Sequence, residues 1–272
     1  MSVFHAIVLG LVQGLSEFLP ISSSGHLIIV PWLFNWHDFD SSSVEKAFDV
    51  ALHIGTLAAA VAYFRRDLAK YVVEGIKAIR QRPASSEGRL AWMLVLSSVP
   101  AAAIGALFEK TIDEKLGKIP IIAVSLIVFG LLLGYADRLA GKRPLESYSR
   151  MDAIVIGLAQ CLSLNPGTSR SGITITAGRF RGLTRDAAAR ASFLMAIPVT
   201  AGAVLYKMAK LARDGIPDGL AGPMAIGVVT AAISGFIAVW GTIRLVRTRS
   251  FTPFVIYRVA AVLLLLAVYA AR

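Results

Sequence analysis

Long apolar runs alternate along this chain with short charged stretches. The runs Val44–Phe64, Leu90–Phe108, Ile119–Ala136, Ala187–Tyr206, Leu220–Ile243 and Phe251–Ala271 carry almost no charge. Each lies near the ~20 residues that a helix needs to cross a bilayer. They predict six spanning helices. Two further stretches, Val3–Val30 and Ala153–Thr176, are apolar at their ends but interrupted in the middle by Gly, Pro, Ser and charged residues. Composition points the same way: 56% of the 272 residues are hydrophobic and the mean hydropathy is +0.67, well above soluble usage.

The net charge of +11 would suit a nucleic-acid partner, but its placement argues against one. The connections 65–89, 137–150, 179–190 and 244–249 hold 18 Lys and Arg, whereas 31–46, 109–118 and 207–218 hold 7. Cytoplasmic loops collect such residues, so the first set faces the cytoplasm and the basic excess is an orientation signal. No Lys or Arg precedes Lys46, so the opening run lacks the basic start of a signal peptide and is expected to stay in the mature protein. The single cysteine, Cys161, has no partner for an internal disulfide. Arg65–Arg82 places Leu68, Tyr71, Val72, Ile76 and Ile79 at helical spacing opposite its bases and predicts a helix lying on the inner membrane surface; "ASSEG" at 84–88 reads as a flexible connection.

The two interrupted stretches are related. An offset of 147 residues sets "GLVQGLSEFLPISSSG" (Gly10–Gly25) over "GLAQCLSLNPGTSRSG" (Gly157–Gly172), with eight of sixteen positions identical, among them a Gln and three Ser. Three predicted spans separate them, so the second copy approaches the membrane from the opposite side. Basic flanks at 137–150 and 179–190 make that side cytoplasmic. The expected fold is all-α and polytopic: one membrane domain over 1–272, with a first repeat in 1–136 and an inverted second repeat in 151–272. Each opens with a re-entrant helical hairpin, 3–30 and 153–176, and continues into three spans. An ordinary span over Val3–Pro20 would break the alternation of loop charge.

Irregular backbone at membrane depth needs burial or a polar cavity. Pro20 and Pro166 place the two turns, and the serines after each suit the N-cap of a second arm. Two helix N-termini then converge where an anion is attracted. Gln13 and Glu17 share a helix face, and a carboxylate at that depth costs at least ~2.5 kcal/mol, which marks it as functional. His26, beside Ser22, Ser23 and Ser24, is placed to move protons or to attack phosphorus, whereas His53, with no polar company nearby in sequence, reads as a packing or hydrogen-bonding residue. Arg170, amid Ser169, Ser171 and Thr174, suits phosphate oxygens; Arg258 reads as a snorkelling residue near a helix end. A carboxylate, a histidine, hydroxyls and an arginine at two helix ends are what hydrolysis of a lipid phosphoanhydride requires.

"QGLSEFLPISSSGH" and "LNPGTSRSGITIT" resemble the two signature segments of the bacterial undecaprenyl pyrophosphate phosphatases, or bacitracin-resistance proteins. The resemblance runs over essentially the whole chain. It implies removal of the terminal phosphate of undecaprenyl diphosphate in the bacterial inner membrane, in a site open to the periplasmic side, with Mg2+ or Ca2+ supporting activity and recycling of the lipid carrier for peptidoglycan. It assigns catalysis to Glu17, Ser23, His26 and Arg170 and substrate binding to Gln13, Ser22, Ser24, Ser169, Ser171 and Thr174. Attack falls to Ser23 or to His26. Gln13 stands where the family has Glu or Gln, which leaves Glu17 as the sole carboxylate for a metal. A homodimer is the candidate assembly. The rival reading is a polyprenyl-phosphate carrier, since inverted repeats with broken helices are transporter architecture.

Overall fold

The computed structural model describes residues 1–39, 42–80, 83–214 and 219–272. Parts of the connections at 31–46 and 207–218, and the end of the Arg65–Arg82 stretch, lie outside the described residues. Within the described residues the regular structure is helical: α1 (Val3–Phe18), α2 (Ser23–Phe34), α3 (Ser42–Arg80), α4 (Ser86–Lys115), α5 (Ile119–Arg138), α6 (Arg150–Cys161), α7 (Arg170–Phe180), α8 (Arg185–Asp214), α9 (Ala221–Val246) and α10 (Thr252–Ala271). Six of these, α3, α4, α5, α8, α9 and α10, are long and apolar enough to cross a membrane. The chain is a multi-pass membrane protein.

Four helices are too short for that task and pair as α1 with α2 and α6 with α7. Each pair is held by the other half of the chain. α1 lies along α9 and α6 lies along α4, while α5 packs on α7 and α10 touches α2. Exchanging α1–α5 with α6–α10 therefore reproduces the packing. Glycine makes both long contacts close: a Cβ at Gly14 would fall 1.9 Å from Ser234 Oγ, and one at Gly157 would fall 2.7 Å from the Ser97 carbonyl oxygen. Small residues let helix backbones approach where lipid offers no hydrophobic drive to association.

Two expectations need correction. Arg65–Arg80 is not a separate surface helix but the continuation of α3, whose 39 residues run about 58 Å at 1.5 Å per residue. Its apolar face packs on the start of α4, where Trp92 Nε1 donates to the Gly75 carbonyl at 2.9 Å. Nor is 84–88 a loose connection, since α4 begins at Ser86 and Ser85 Oγ both accepts from Gly88 N–H and donates to Glu74. The amphipathic spacing was real; a helix with no Gly or Pro break between Phe64 and Arg65 has no reason to stop there.

Candidate active site

The site begins with how each hairpin turns. α1 ends at Phe18 because Leu19 is extended (φ −64°, ψ 137°) and Pro20 follows. α2 then starts from Ser22, whose side chain accepts from Gly25 N–H at 3.3 Å, and α7 starts from Ser169, which accepts from Gly172 N–H at 3.1 Å. Both caps have positive φ, 80° and 72°. A non-glycine residue held there costs about 1–3 kcal/mol, so the surroundings must enforce it.

The enforcing contacts run between the tips. Gly167 N–H donates to Ser22 Oγ at 3.0 Å and Ser171 Oγ donates to the Leu19 carbonyl at 3.2 Å. Gly167 itself has φ +92°, and a Cβ there would lie 2.6 Å from the Ile122 carbonyl oxygen, so no larger residue fits. Above both turns lies Arg258. It is not a snorkelling residue: it is fully buried, donating to the carbonyls of Pro20 at 2.7 Å, Thr168 at 3.0 Å and Leu126 at 3.4 Å. It has no carboxylate partner among the described residues; backbone dipoles compensate its charge, and two of the three carbonyls, those of Pro20 and Thr168, lie outside the helical ladders and would otherwise lack a donor in an apolar interior.

Below the tips is a cavity of about 260 Å³. Glu17 lies on its wall. Ser23 Oγ donates to Glu17 Oε2 at 2.5 Å and Gln13 Nε2 donates to the same oxygen at 3.1 Å, while Arg170 forms an ion pair with Oε1. Arg170 also donates to Thr200 Oγ1 at 2.7 Å and to the Ala196 carbonyl at 3.3 Å. Residues 153 apart in sequence thus share one site. The first amides of α2 and α7 have no acceptor within their own helices and sit at the same wall. Two positive helix ends and one guanidinium face one carboxylate, so an anion is the expected guest.

Six of the ten site residues expected from sequence line this cavity: Glu17, Ser22, Ser23, Ser24, Ser169 and Arg170. The other four stand behind it. Gln13 is buried and reaches the site through Glu17. Ser171 bonds Ser169 and the first tip, and Thr174 is shared by the Arg170 carbonyl at 2.8 Å and Ser192 Oγ at 2.7 Å. His26 has both ring nitrogens engaged away from the cavity. Nδ1 meets the Ser22 carbonyl at 2.7 Å and Nε2 meets Tyr257 Oη at 2.8 Å. A carbonyl only accepts, so Nδ1 carries the proton and Nε2 accepts from the tyrosine.

Sequence reasoning set His53 aside, and here the structure differs. His53 is on the cavity wall with Nε2 3.9 Å from Glu17 Oε2. Thr200, Ser163 and Lys207 also line the cavity and were missed. No local motif marks Thr200 and Lys207, because each sits in an ordinary helical context and gains its meaning only where α8 passes the hairpin tips; Ser163 lies within the repeat, matched to Ser16.

The donor set does not fit a metal ion caged by protein ligands. Glu17 is the sole carboxylate on the described cavity wall, and Arg170, Ser23 and Gln13 already occupy three of its roughly four acceptor positions. Among the described residues no group of three or more His, Cys, Asp or Glu is close enough to hold one.

The chain is similar to known proteins over almost its whole length. A family model described as bacitracin resistance protein BacA matches residues 6–264. This chain belongs to the BacA family. Similar curated relatives are named undecaprenyl-diphosphatase. The protein of Geobacter sulfurreducens is 49% identical over 263 residues, covering 96% of each chain. That of Moorella thermoacetica is 45% identical over 270 residues, 99% of this chain and 98% of the relative, and that of Idiomarina loihiensis is 40% identical over 266 residues, 97% and 98%.

Proposed function

We propose that this BacA-family protein is a membrane phosphatase that hydrolyses undecaprenyl diphosphate to undecaprenyl phosphate and inorganic phosphate, recycling the lipid carrier of peptidoglycan synthesis and conferring bacitracin resistance. The observation that carries the reading is the Glu17, Ser23 and Arg170 cluster between two helix N-termini. The diphosphate draws Arg170 and the α2 and α7 amides onto its oxygens, which releases Glu17 Oε1 while Oε2 stays on Ser23. Ser23 Oγ attacks the terminal phosphorus and passes its proton to Glu17; the P–O bond to the lipid phosphate breaks. Undecaprenyl phosphate leaves as a stable anion and needs no proton from an acid. Water then cleaves the phosphoserine. Positioning and electrostatic stabilisation supply most of the rate, as in phosphoryl transfer generally. His26, with both nitrogens bonded elsewhere, fixes the first turn of α2 instead of attacking.

The membrane is the bacterial inner membrane, and the cavity opens to its periplasmic side. Loop charge supports the orientation, since the wall is built from the start of α3 and the last half of α8, next to the base-poor connections. If activity needs a divalent cation, Mg2+ or Ca2+, Glu17 is the one carboxylate on the described cavity wall that could hold it, and the ion would supply positive charge to the phosphate oxygens. The test is phosphate release by purified protein in detergent, where no transmembrane gradient exists. Release from undecaprenyl diphosphate is the expected result; none from any polyprenyl diphosphate would favour the carrier reading.

A further inference from the structure

We infer that His53 is the base of the second half-reaction, taking the proton of the water that cleaves phosphoserine 23. This rests on the serine-phosphatase reading above and assigns a step that Glu17 alone leaves open.

His53 Nδ1 lies 2.8 Å from the Asp49 carbonyl oxygen, one turn earlier on α3. A carbonyl can only accept, so the neutral ring carries its proton on Nδ1 and presents the Nε2 lone pair. That nitrogen faces Glu17 Oε2 at 3.9 Å, and the ring is about one third exposed, with a side-chain exposure of 34% against 6% for Glu17. Ser23 Oγ bonds the same Glu17 oxygen at 2.5 Å. Imidazole, carboxylate and hydroxyl therefore surround one point of the cavity wall, with the imidazole on the wetter side. The other charged groups around His53 are Arg170 on α7 and Lys207 on α8, which line the same cavity, and Asp49 and Glu45 at successive turns of α3. α9, packed along α3, carries Arg244 as its only charged residue, in its last turn.

The bookkeeping of protons requires a second base. In the first half-reaction Glu17 gains the Ser23 proton. In the second, water adds to the phosphoserine phosphorus and the P–Oγ bond breaks. The departing Ser23 alkoxide needs a proton, and protonated Glu17, still bonded to it, returns the one it took. Glu17 is then a donor and cannot also accept the proton of the water. His53 Nε2 accepts it, and the open side of the ring hands it to solvent. Net, one water is consumed and one proton is released with inorganic phosphate.

The experiment is rapid-quench turnover of undecaprenyl diphosphate labelled in its terminal phosphate, with wild-type protein and His53→Gln. The expected result is that His53→Gln still releases close to one equivalent of undecaprenyl phosphate in a burst, while its kcat drops about a hundredfold, within the range for loss of a general base. The label accumulates on the protein as acid-stable phosphoserine, at least tenfold above the wild-type level. Equal slowing of both half-reactions with no trapped label would overturn the inference, as would an unchanged kcat. Ser23→Ala in the His53→Gln background must abolish the label; label surviving there would also overturn it. Wild-type protein that releases no phosphate at all would instead defeat the phosphatase reading, so the two failures are distinguishable.

Discussion

The two hairpin tips are built alike and loaded differently. Both turn after a proline, both start their second arm from a positive-φ serine, and both bond the other across the contact. Yet the repeat sets Glu17 over Leu164, Ser23 over Arg170 and His26 over Ile173. The first tip carries a carboxylate, a hydroxyl and an imidazole; the second carries the guanidinium. A duplicated backbone thus furnishes two anion-attracting helix ends, and divergence of a few side chains divides the chemistry between them.

The largest way to break that comparison is to exchange the loads. Glu17→Gln, or Arg170→Lys with its loss of the planar fork, is expected to lower kcat by about three orders of magnitude, the scale for removing a preorganised charge from a reacting phosphoryl group. Phosphate release at saturating lipid measures it; activity within tenfold of wild type would show that the division does not hold. Next comes the choice of attacking atom. Ser23→Ala should cost at least about a hundredfold in kcat, whereas His26→Gln, which keeps a polar link to Tyr257, should remain within about tenfold. The reverse order would move attack to the imidazole.

Removing the strut above both tips tests stability more than chemistry. Arg258→Met orphans the carbonyls of Pro20 and Thr168, each worth about 1–3 kcal/mol unpaired. A fall in the unfolding midpoint in detergent is expected, with Arg258→Lys intermediate. The smallest effects sharpen the likeness itself. Ser169→Gly relieves positive φ while losing a cap and the bond to Ser171 on its own tip, so stability should change by less than about 1 kcal/mol. Ser22→Gly should be worse, because it also deprives Gly167 N–H of its acceptor. Equal effects would mean that the cross-tip bond contributes nothing.

Much of this was written in local pattern. Six apolar runs, two interruptions and the loop charges specify spans and hairpins, because lipid allows few alternatives. The meeting of Glu17 with Arg170 follows from the inverted repeat once both tips reach a common depth. His53 and Arg258 were misread for a shared reason. Each lies on an otherwise apolar helix, and periodicity tells which turn a residue occupies but not what another helix brings opposite it. His26 was read from neighbours in sequence that are hydroxyls, whereas its side-chain partner in space is Tyr257, 231 positions away and invisible to local pattern. The Arg65–Arg80 stretch failed differently: amphipathic spacing reports a face, and says nothing about whether the helix before it ends.

Arg258 belongs to α10, which follows the other nine helices named above in sequence. Until α10 arrives, the carbonyls of Pro20 and Thr168 have no donor to share, and the two turns have nothing to fix their separation. A chain that has not yet reached α10 therefore holds every residue lining the cleft but not the strut that sets its shape. α10 acts as a keystone for a cleft whose own lining residues all precede it.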